Sequence, residues 1–279
     1  MEIKPLLKWV GGKTQIIDKI IESFPKQIDN YHETFVGGGS VLCSLLQSNI
    51  HVKGNIYAYD LNDQLIGFYK NVQSDPKKIY KTIIPYINYY KNLDLNQKEE
   101  YYYLIRNKYN SLKNKSSYLA SSLFLFLNKT CFRGLFRESK KGFNVPYGHY
   151  TQPEIVNFDH LLQFSKLIKN VIFVNLGFRD SLDIKKIKKN DFVYLDPPYY
   201  PESKISFVGY TDDGFNQKDH EDLFNLCHTM KNKFVISNSY PMKKFFKDEK
   251  YNIKIIKAKR AIDPKNPDRI TKEVIIKNF

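Results

Sequence analysis

Asp191-Phe192-Val193-Tyr194-Leu195-Asp196-Pro197-Pro198-Tyr199 is the stretch on which the reading of this chain turns. Residues 191–195 are apolar, aromatic and partly β-branched, the composition of a short buried strand. Pro197 and Pro198 then forbid both a continued strand and an immediate helix, because proline has no amide proton and restricts the residue before it. The stretch predicts a rigid turn at the carboxyl end of a strand, which is where open α/β sheets bind ligands. On that turn Asp196 and the ring of Tyr199 are held close together, and the proline carbonyls have no donor nearby in the chain. Such a turn can accept hydrogen bonds from a planar amine and stack on its ring. A turn that only closes a core strand fits the four residues equally well, so the rest of the chain must decide.

On the upstream side, 171–175 reads as a strand followed by Leu176-Gly177-Phe178-Arg179-Asp180, where Phe178 either stacks on a cofactor base or caps the core. Downstream, 200–214 is polar with scattered glycine and is expected to be a mobile loop that closes on substrate. Residues 215–231 carry Leu223, Leu226 and Met230 on one helical face. His220 and His228 are expected in solvent, since nothing near them completes a triad. Residues 234–238 form a further strand, and 251–258 with 272–278 the last two, an antiparallel edge pair. Lys259-Arg260 and Pro264 to Arg269 make a basic, proline-interrupted loop that suits either a phosphate backbone or solvent.

The amino-terminal part supplies a second landmark. Pro5 to Lys13 reads Pro-Leu-Leu-Lys-Trp-Val-Gly-Gly-Lys, with Trp9 and Lys13 flanking the glycines, and a helix is expected from about Thr14 on the pattern Ile16, Ile17, Ile20, Ile21, Phe24. A strand over 31–35 runs into Phe35-Val36-Gly37-Gly38-Gly39-Ser40 and then a helix through Val41, Leu42, Leu45 and Leu46. Strand, glycine turn and helix form a cofactor-loop arrangement, with glycines admitting close backbone approach and the helix start offering free amides. It is neither a dinucleotide GxGxxG nor a P-loop, because no Gly-Lys-Ser/Thr ends it. The next strand, 55–59, ends at Asp60, about 20 residues past the glycines, the spacing of an acid that holds a ribose diol. Asp60-Leu61-Asn62-Asp63 also reads as a helix cap.

Residues 68–125 look mainly helical, with Pro76 opening one helix and a polar break at 112–117, and they interrupt the strand–helix alternation as an inserted domain would. In 128–150 basic, glycine and aromatic residues interleave: Asn128-Lys129-Thr130-Cys131-Phe132-Arg133-Gly134-Leu135-Phe136-Arg137, then Gly142-Phe143-Asn144-Val145-Pro146-Tyr147-Gly148. Glu138-Ser139-Lys140-Lys141-Gly142 reads as a hairpin tip. A ribbon of this kind enters a nucleic-acid groove, with arginines reading guanine edges and lysines holding phosphate. Residues 158–167 return the chain to the main domain through a helix. The fold expected is α/β, with 1–67 and 160–279 as one catalytic domain and 68–159 as a recognition domain.

Composition agrees with a polyanionic partner. The 279 residues carry 44 Lys+Arg against 29 Asp+Glu, a net +15. Lysine and asparagine are both common, a pattern that genomic base bias also produces. Cys43, Cys131 and Cys227 have no metal or disulfide spacing and are expected to be small buried hydrophobes. No signal peptide, apolar run of membrane length, amphipathic basic helix or lipidation motif is seen, so an intracellular protein without a membrane partner is expected.

Taken together, the segments resemble the Dam-like, D12 class of N6-adenine-specific DNA methyltransferases, over nearly the whole chain. The resemblance rests on Lys8-Trp9-Val10-Gly11-Gly12-Lys13, Phe35 to Gly39, Asp60, Phe143 to Gly148, Asp196 to Tyr199, and Lys272-Glu273-Val274-Ile275-Ile276, in the family's order. It implies a Rossmann-like S-adenosylmethionine-dependent methyltransferase sheet with an inserted, mainly helical DNA-recognition domain and β-hairpin. It further implies that Trp9, Lys13, Phe35, Gly37, Gly39, Asp60, Phe178 and Asp196 hold S-adenosylmethionine. Asp196 and the Pro197 carbonyl would accept the two N6 hydrogens of an adenine stacked on Tyr199, the base having left its duplex. Lys129, Arg133, Arg137, Lys140, Asn144 and Tyr147 would meet double-stranded DNA, with GATC the leading site and another palindromic four-base word the runner-up. A restriction endonuclease acting on the same site, without a stable complex, would be a functional partner. The cell compartment implied is the cytoplasm or nucleoid of a bacterium, or the host cell of a virus or phage. No metal is implied, and no cysteine lies near the turn as cytosine C5 chemistry would require. Cytosine-N4 or RNA amino-methylation uses similar chemistry, and a non-enzymatic DNA-binding module is the alternative of another class. Two positions depart from the family pattern: Arg133 stands where many relatives have Asn, and Gly177 stands where relatives often have an acid.

Overall fold

The computed structural model describes residues 2–183, 187–201, 215–259 and 270–279. In chain order the elements are α1 (Ile17–Glu22), β1 (Gln27–Ile28), β2 (Tyr31–Glu33), α2 (Ser40–Gln47), β3 (His51–Val52), β4 (Ile56–Asp60), α3 (Asp63–Ser74), α4 (Pro76–Lys91), α5 (Leu95–Ser111), α6 (Tyr118–Thr130), β5 (Glu138–Ser139), β6 (Gly142–Phe143), α7 (Phe158–Leu167), β7 (Val171–Asn175), α8 (Phe178–Ser181), β8 (Phe192–Leu195), α9 (Gln217–Thr229), β9 (Lys233–Ser239), β10 (Asn252–Lys259) and β11 (Ile270–Lys277). The loops expected to close on substrate and to carry Pro264 to Arg269 lie outside the described residues, apart from Tyr200, Pro201 and Lys259 at their ends. The chain divides into two compact units, one of Met1–Gly12, Gly37–Leu46 and Asn62–Asn175, the other of Lys13–Val36, Gln47–Leu61 and Leu176–Phe279.

The second unit carries six strands of the main sheet, in the order β10-β11-β9-β8-β2-β4. From β9 to β4 the strands are parallel, and β11 and β10 are added antiparallel, as the edge pair read from the sequence. The apolar run of β8 is fully buried, as a central parallel strand requires. It packs through Val193 and Leu195 on a core that includes Phe178, Leu223, Phe224, Cys227, Phe234, Ile236, Met242, Val274 and Ile276. The sheet is Rossmann-like, and its strand order reverses at β2: β4 lies on one side and β8 on the other. Such a switch point leaves a crevice at the carboxyl ends of the strands.

Two local expectations shift. The helix expected from Thr14 begins at Ile17, because Lys13 to Ile16 form a turn closed by the Ile16 amide on the Lys13 carbonyl. His220 is not in solvent: it is only 2% exposed, against the rings of Tyr200, Phe215 and Phe224. The expectation failed because His220 shares a helix face with Phe224, and that face is closed over by Phe215 just before the helix and by Tyr200 from the turn. Burial lowers the His220 pKa to about 4.

The first unit is mainly helical. Its α6 is apolar on nearly every side and is buried along almost its whole length. Around it lie α3, α4 and α5, each started by a side-chain cap: Asn62 on α3, Asp75 on α4, and Asp94 with Gln97 in a capping box on α5. Pro76 opens α4 as expected. The expected hairpin forms between β5 and β6, pairing Glu138 with Phe143 and Ser139 with Gly142. Asn110 of α5 fastens its second strand by two 2.9 Å bonds to the Phe143 backbone.

Candidate active site

Three strand ends of the second unit meet at the switch point. After β2 the Thr34 amide bonds the Tyr194 carbonyl of β8 at 3.2 Å, and the Val36 amide bonds the Tyr59 carbonyl of β4 at 2.9 Å. Phe35, Asp60 and Asp196 thus leave from neighbouring strand ends. The cap of the following helix is Asn62, so capping does not fall to Asp60.

Asp196 is held from two directions. Lys13 Nζ lies 2.7 Å from its Oδ1, and Ser237 of β9 donates to the same oxygen at 3.3 Å. Lys13 is only 3% exposed, and its ammonium also sits 4.7 Å from the centre of the Tyr199 ring. Lys13 is thus an internal lysine, paired with the carboxylate of the turn. Burial raises the Asp196 pKa from its ordinary value, against the pull of Lys13, and Glu273 adds to the upward shift.

The proline carbonyls do have a donor, contrary to what the local sequence suggests. Asn238, at the end of β9, donates Nδ2 to Pro197 at 3.1 Å and to Pro198 at 3.3 Å, while its Oδ1 accepts the Tyr200 amide at 2.7 Å. A carbonyl has two lone pairs, so Pro197 can still accept a second hydrogen. Tyr199 donates its hydroxyl to Glu273 of β11 at 2.7 Å. Ser237, Asn238 and Glu273 were missed by the sequence reading. Their signal was a polar Ser-Asn-Ser closing an apolar strand, and a lone acid inside the last one.

Phe178 is buried at the start of α8, within a ring cluster whose centroids lie 6.0 Å (Phe35–Phe178), 5.8 Å (Phe35–Phe215) and 5.3 Å (Phe178–Phe215) apart. Its neighbour Gly177 needs no special backbone angle, and a Cβ there would meet only Leu61 at 3.7 Å.

In the first unit, Gly37 to Gly39 wrap against Trp9 and Tyr69. A Cβ on Gly38 would lie 2.7 Å from that of Trp9, too close for any side chain, while Gly37 and Gly39 have positive φ. Tyr69 fixes the loop by donating to the Gly37 carbonyl at 2.8 Å. Trp9 itself stacks on Phe136 at 5.6 Å. It therefore backs the glycine loop.

The recognition segment of the same unit is a ribbon tied to α6. The Phe132 amide bonds the Pro146 carbonyl at 2.8 Å, the Gly148 amide bonds Thr130 at 2.9 Å, and Asn128 clamps the Lys8 backbone through bonds of 2.9 and 2.8 Å. Arg133, Arg137 and Lys140 are exposed. Arg137 is braced by Asn144, at 2.7 Å to its Oδ1 and 3.2 Å to its carbonyl. Arg133 has φ 56, a left-handed conformation that Asn tolerates far better than Arg. Lys129 is partly buried beside Lys8, and these two effects lower its pKa to about 8. Tyr147 does not face a partner: it is 2% exposed and its hydroxyl meets that of Tyr90 at 2.6 Å. The aromatic–basic alternation that suggested a contact placed this ring on the inner side of the ribbon.

Among the described residues no group of three or more His, Cys, Asp or Glu side chains is arranged to hold a metal, and no helix is long and apolar enough to cross a membrane.

A Rossmann-like sheet with an Asp-Pro-Pro-Tyr turn at its switch point defines a methyltransferase that acts on an amine. The description "D12 class N6 adenine-specific DNA methyltransferase" matches residues 9–262, and the chain belongs to that family. It is 40% identical to the type II methyltransferase M.MjaIII of Methanocaldococcus jannaschii, covering 96% of each chain. It is 30% identical to a DNA adenine methylase of Haemophilus influenzae, covering 96% of this chain and 91% of that one. It is also 29% identical to the type II methyltransferase M1.LlaDCHI of Lactococcus lactis subsp. cremoris, covering 100% of this chain and 96% of that one.

Proposed function

We propose that the chain methylates the N6 amine of adenine at a specific site in duplex DNA, using S-adenosylmethionine. The observation that carries this reading is Asp196, fixed by Lys13 and Ser237 at the switch point beside a Pro197 carbonyl with one acceptor site to spare. A planar amine has two hydrogens, and these two oxygens match them, leaving the nitrogen lone pair out of the hydrogen-bonded plane. The base must leave its stack to reach such a pocket.

The residues present fit the methyl donor. Asp60 closes β4 at the place a ribose diol would bind, and the half-buried ring of Phe35, backed by Phe178, offers apolar surface for a base. When bound, S-adenosylmethionine supplies a methyl group on a sulfonium sulfur, the N–C bond forming as the C–S bond breaks. The chain's own part is orientation and electrostatics. Asp196 accepts from the amine, is the nearest carboxylate for the proton the nitrogen then sheds, and is kept in place by Lys13. Activity should therefore fall as pH drops through the raised Asp196 pKa. The contribution of the same group to folding has the opposite sign: a raised carboxylate pKa favours the folded state at acid pH, and that gain is lost as pH rises through the folded-state pKa.

For the DNA, Arg137 braced by Asn144 reads a base edge, Arg133 reads a base or holds phosphate, and Lys129 and Lys140 hold phosphate. GATC is the proposed word, on the resemblance of 143–148 to Dam-like recognition segments. Relatives named type II methyltransferases support pairing with a restriction endonuclease that acts on the same site. The test is sequencing that reports modified adenine in DNA from a host expressing the chain. Modification at GATC is expected, and modification at another word would overturn the specificity while leaving the chemistry.

A further inference from the structure

Glu273 is placed where a carboxyl group is costly to keep. It lies on β11, two strands away from the turn, paired in register with Ser239 and Ile256. It is 9% exposed, and the residues that follow it, Val274 to Ile276, are buried apolar ones. One oxygen, Oε1, accepts the Tyr199 hydroxyl at 2.7 Å. The other, Oε2, is buried and has no hydrogen-bond partner among the described residues. A buried carboxyl oxygen without a partner weakens a fold, so stability alone does not account for an acid here.

Its position relative to the amine pocket does. Tyr199 is gripped at both ends of its side chain, by Lys13 over the ring at 4.7 Å and by Glu273 at the hydroxyl. The two contacts come from opposite termini of the chain and fix both the tilt and the reach of the ring. Glu273 also acts on Asp196 through space, raising its proton affinity, while Lys13 lowers it. A ring that must receive a planar base gains from being fixed beforehand, since misplacement of about 1 Å at a reacting centre costs on the order of 100-fold in rate. The geometry points to Glu273 as a positioning residue of the methyl-transfer site, one that holds Tyr199 in the plane on which the target base stacks.

This inference rests on the reading of Asp196 to Tyr199 as the amine pocket. The experiment is a double-mutant cycle on methyl transfer to duplex DNA, with Glu273→Ala, Glu273→Gln, Tyr199→Phe and the paired variants. Glu273→Ala is expected to lower kcat by about 100-fold with little change in the KM for the methyl donor. Tyr199→Phe, which keeps the ring and removes the hydroxyl, is expected to fall by a similar factor. Their combination should be no worse than Glu273→Ala alone, because both remove one interaction. Glu273→Gln, whose amide oxygen still accepts the hydroxyl, should recover most of the rate. Losses that multiply, or a Glu273→Ala chain within about threefold of the unaltered one, would overturn the inference. Were Glu273→Ala not to fold, Tyr199→Phe with unaltered turnover would overturn it equally. An unaltered chain that transfers no methyl group to DNA would instead remove the reading beneath it, so the two failures are distinguishable.

Discussion

The turn at Asp196 to Tyr199 and the ribbon at 132–148 both carry the polar chemistry of this protein, yet they are built in opposite ways. In the turn each functional group has a designated holder: Lys13 and Ser237 on Asp196, Asn238 on the proline carbonyls, Glu273 on Tyr199. In the ribbon the backbone is fixed by α6 and Asn110, but Arg133, Arg137 and Lys140 stand in solvent, with Arg137 alone among them braced by a side chain, that of Asn144. A reacting amine needs groups fixed to a fraction of an ångström, whereas a duplex is read by side chains that exchange water for base edges and phosphates. The first kind of site tolerates little change. The second can change its target through single substitutions.

Substitutions in the turn should cost far more than substitutions in the ribbon. Asp196→Ala should reduce methyl transfer by at least about 1,000-fold, since it removes the acceptor of the amine, while duplex affinity measured by a mobility shift stays within about threefold. Retained turnover would remove Asp196 from the chemistry. Lys13→Met leaves the partly buried Asp196 carboxylate without its cation, a loss below the roughly 3–5 kcal/mol of a fully buried pair. Transfer should drop by about 100-fold and the thermal midpoint should fall clearly; an unchanged midpoint would show that the ion pair does not hold the turn. Arg137→Ala in the ribbon should weaken specific DNA binding by about 1–3 kcal/mol and relax the preference at one base, without altering the affinity for the methyl donor. Arg133→Asn should relieve the left-handed backbone, and its effect is read as the set of DNA words methylated rather than as a rate.

Two smaller effects lie away from both sites. Because burial holds His220 neutral, with its pKa lowered to about 4, the unfolded chain binds the extra proton between that value and the model-peptide value near 6.5. Stability should decline as pH falls through that window, and His220→Phe should flatten the decline in thermal midpoint. A curve unaffected by the substitution would place the sensitivity elsewhere, with the buried His32 as the next candidate, its pKa also lowered by burial. Gly177→Asp fits sterically and should bind the methyl donor somewhat more tightly, by a few-fold in Kd from a single added hydrogen bond.

What could be read in the sequence follows the same division. The strand before Asp196, the glycine loop, the acid ending β4 and the antiparallel edge were all legible, because each has a local signature in apolar runs, prolines or glycines. Asn238 and Glu273 were not, because their function depends on the adjacency of β8, β9 and β11, which pairing decides and local pattern does not. His220 was misplaced although Phe215 and Phe224 stand close to it in sequence, because only the packing of its helix shows that this face is turned inward. In the ribbon, the basic and aromatic alternation gave the segment its character, but only the fold shows that Tyr147 points inward while Arg133 and Arg137 stand outside. The base that each arginine reads is not encoded in spacing at all, since an exposed guanidinium serves a guanine edge and a phosphate equally well.

Transfer of a labelled methyl group from S-adenosylmethionine to duplex DNA and to RNA, followed by nucleoside analysis, tests directly whether the Asp196 turn serves adenine. Label is expected in N6-methyladenine from the duplex. Label in N4-methylcytosine, or label confined to RNA, would contradict it.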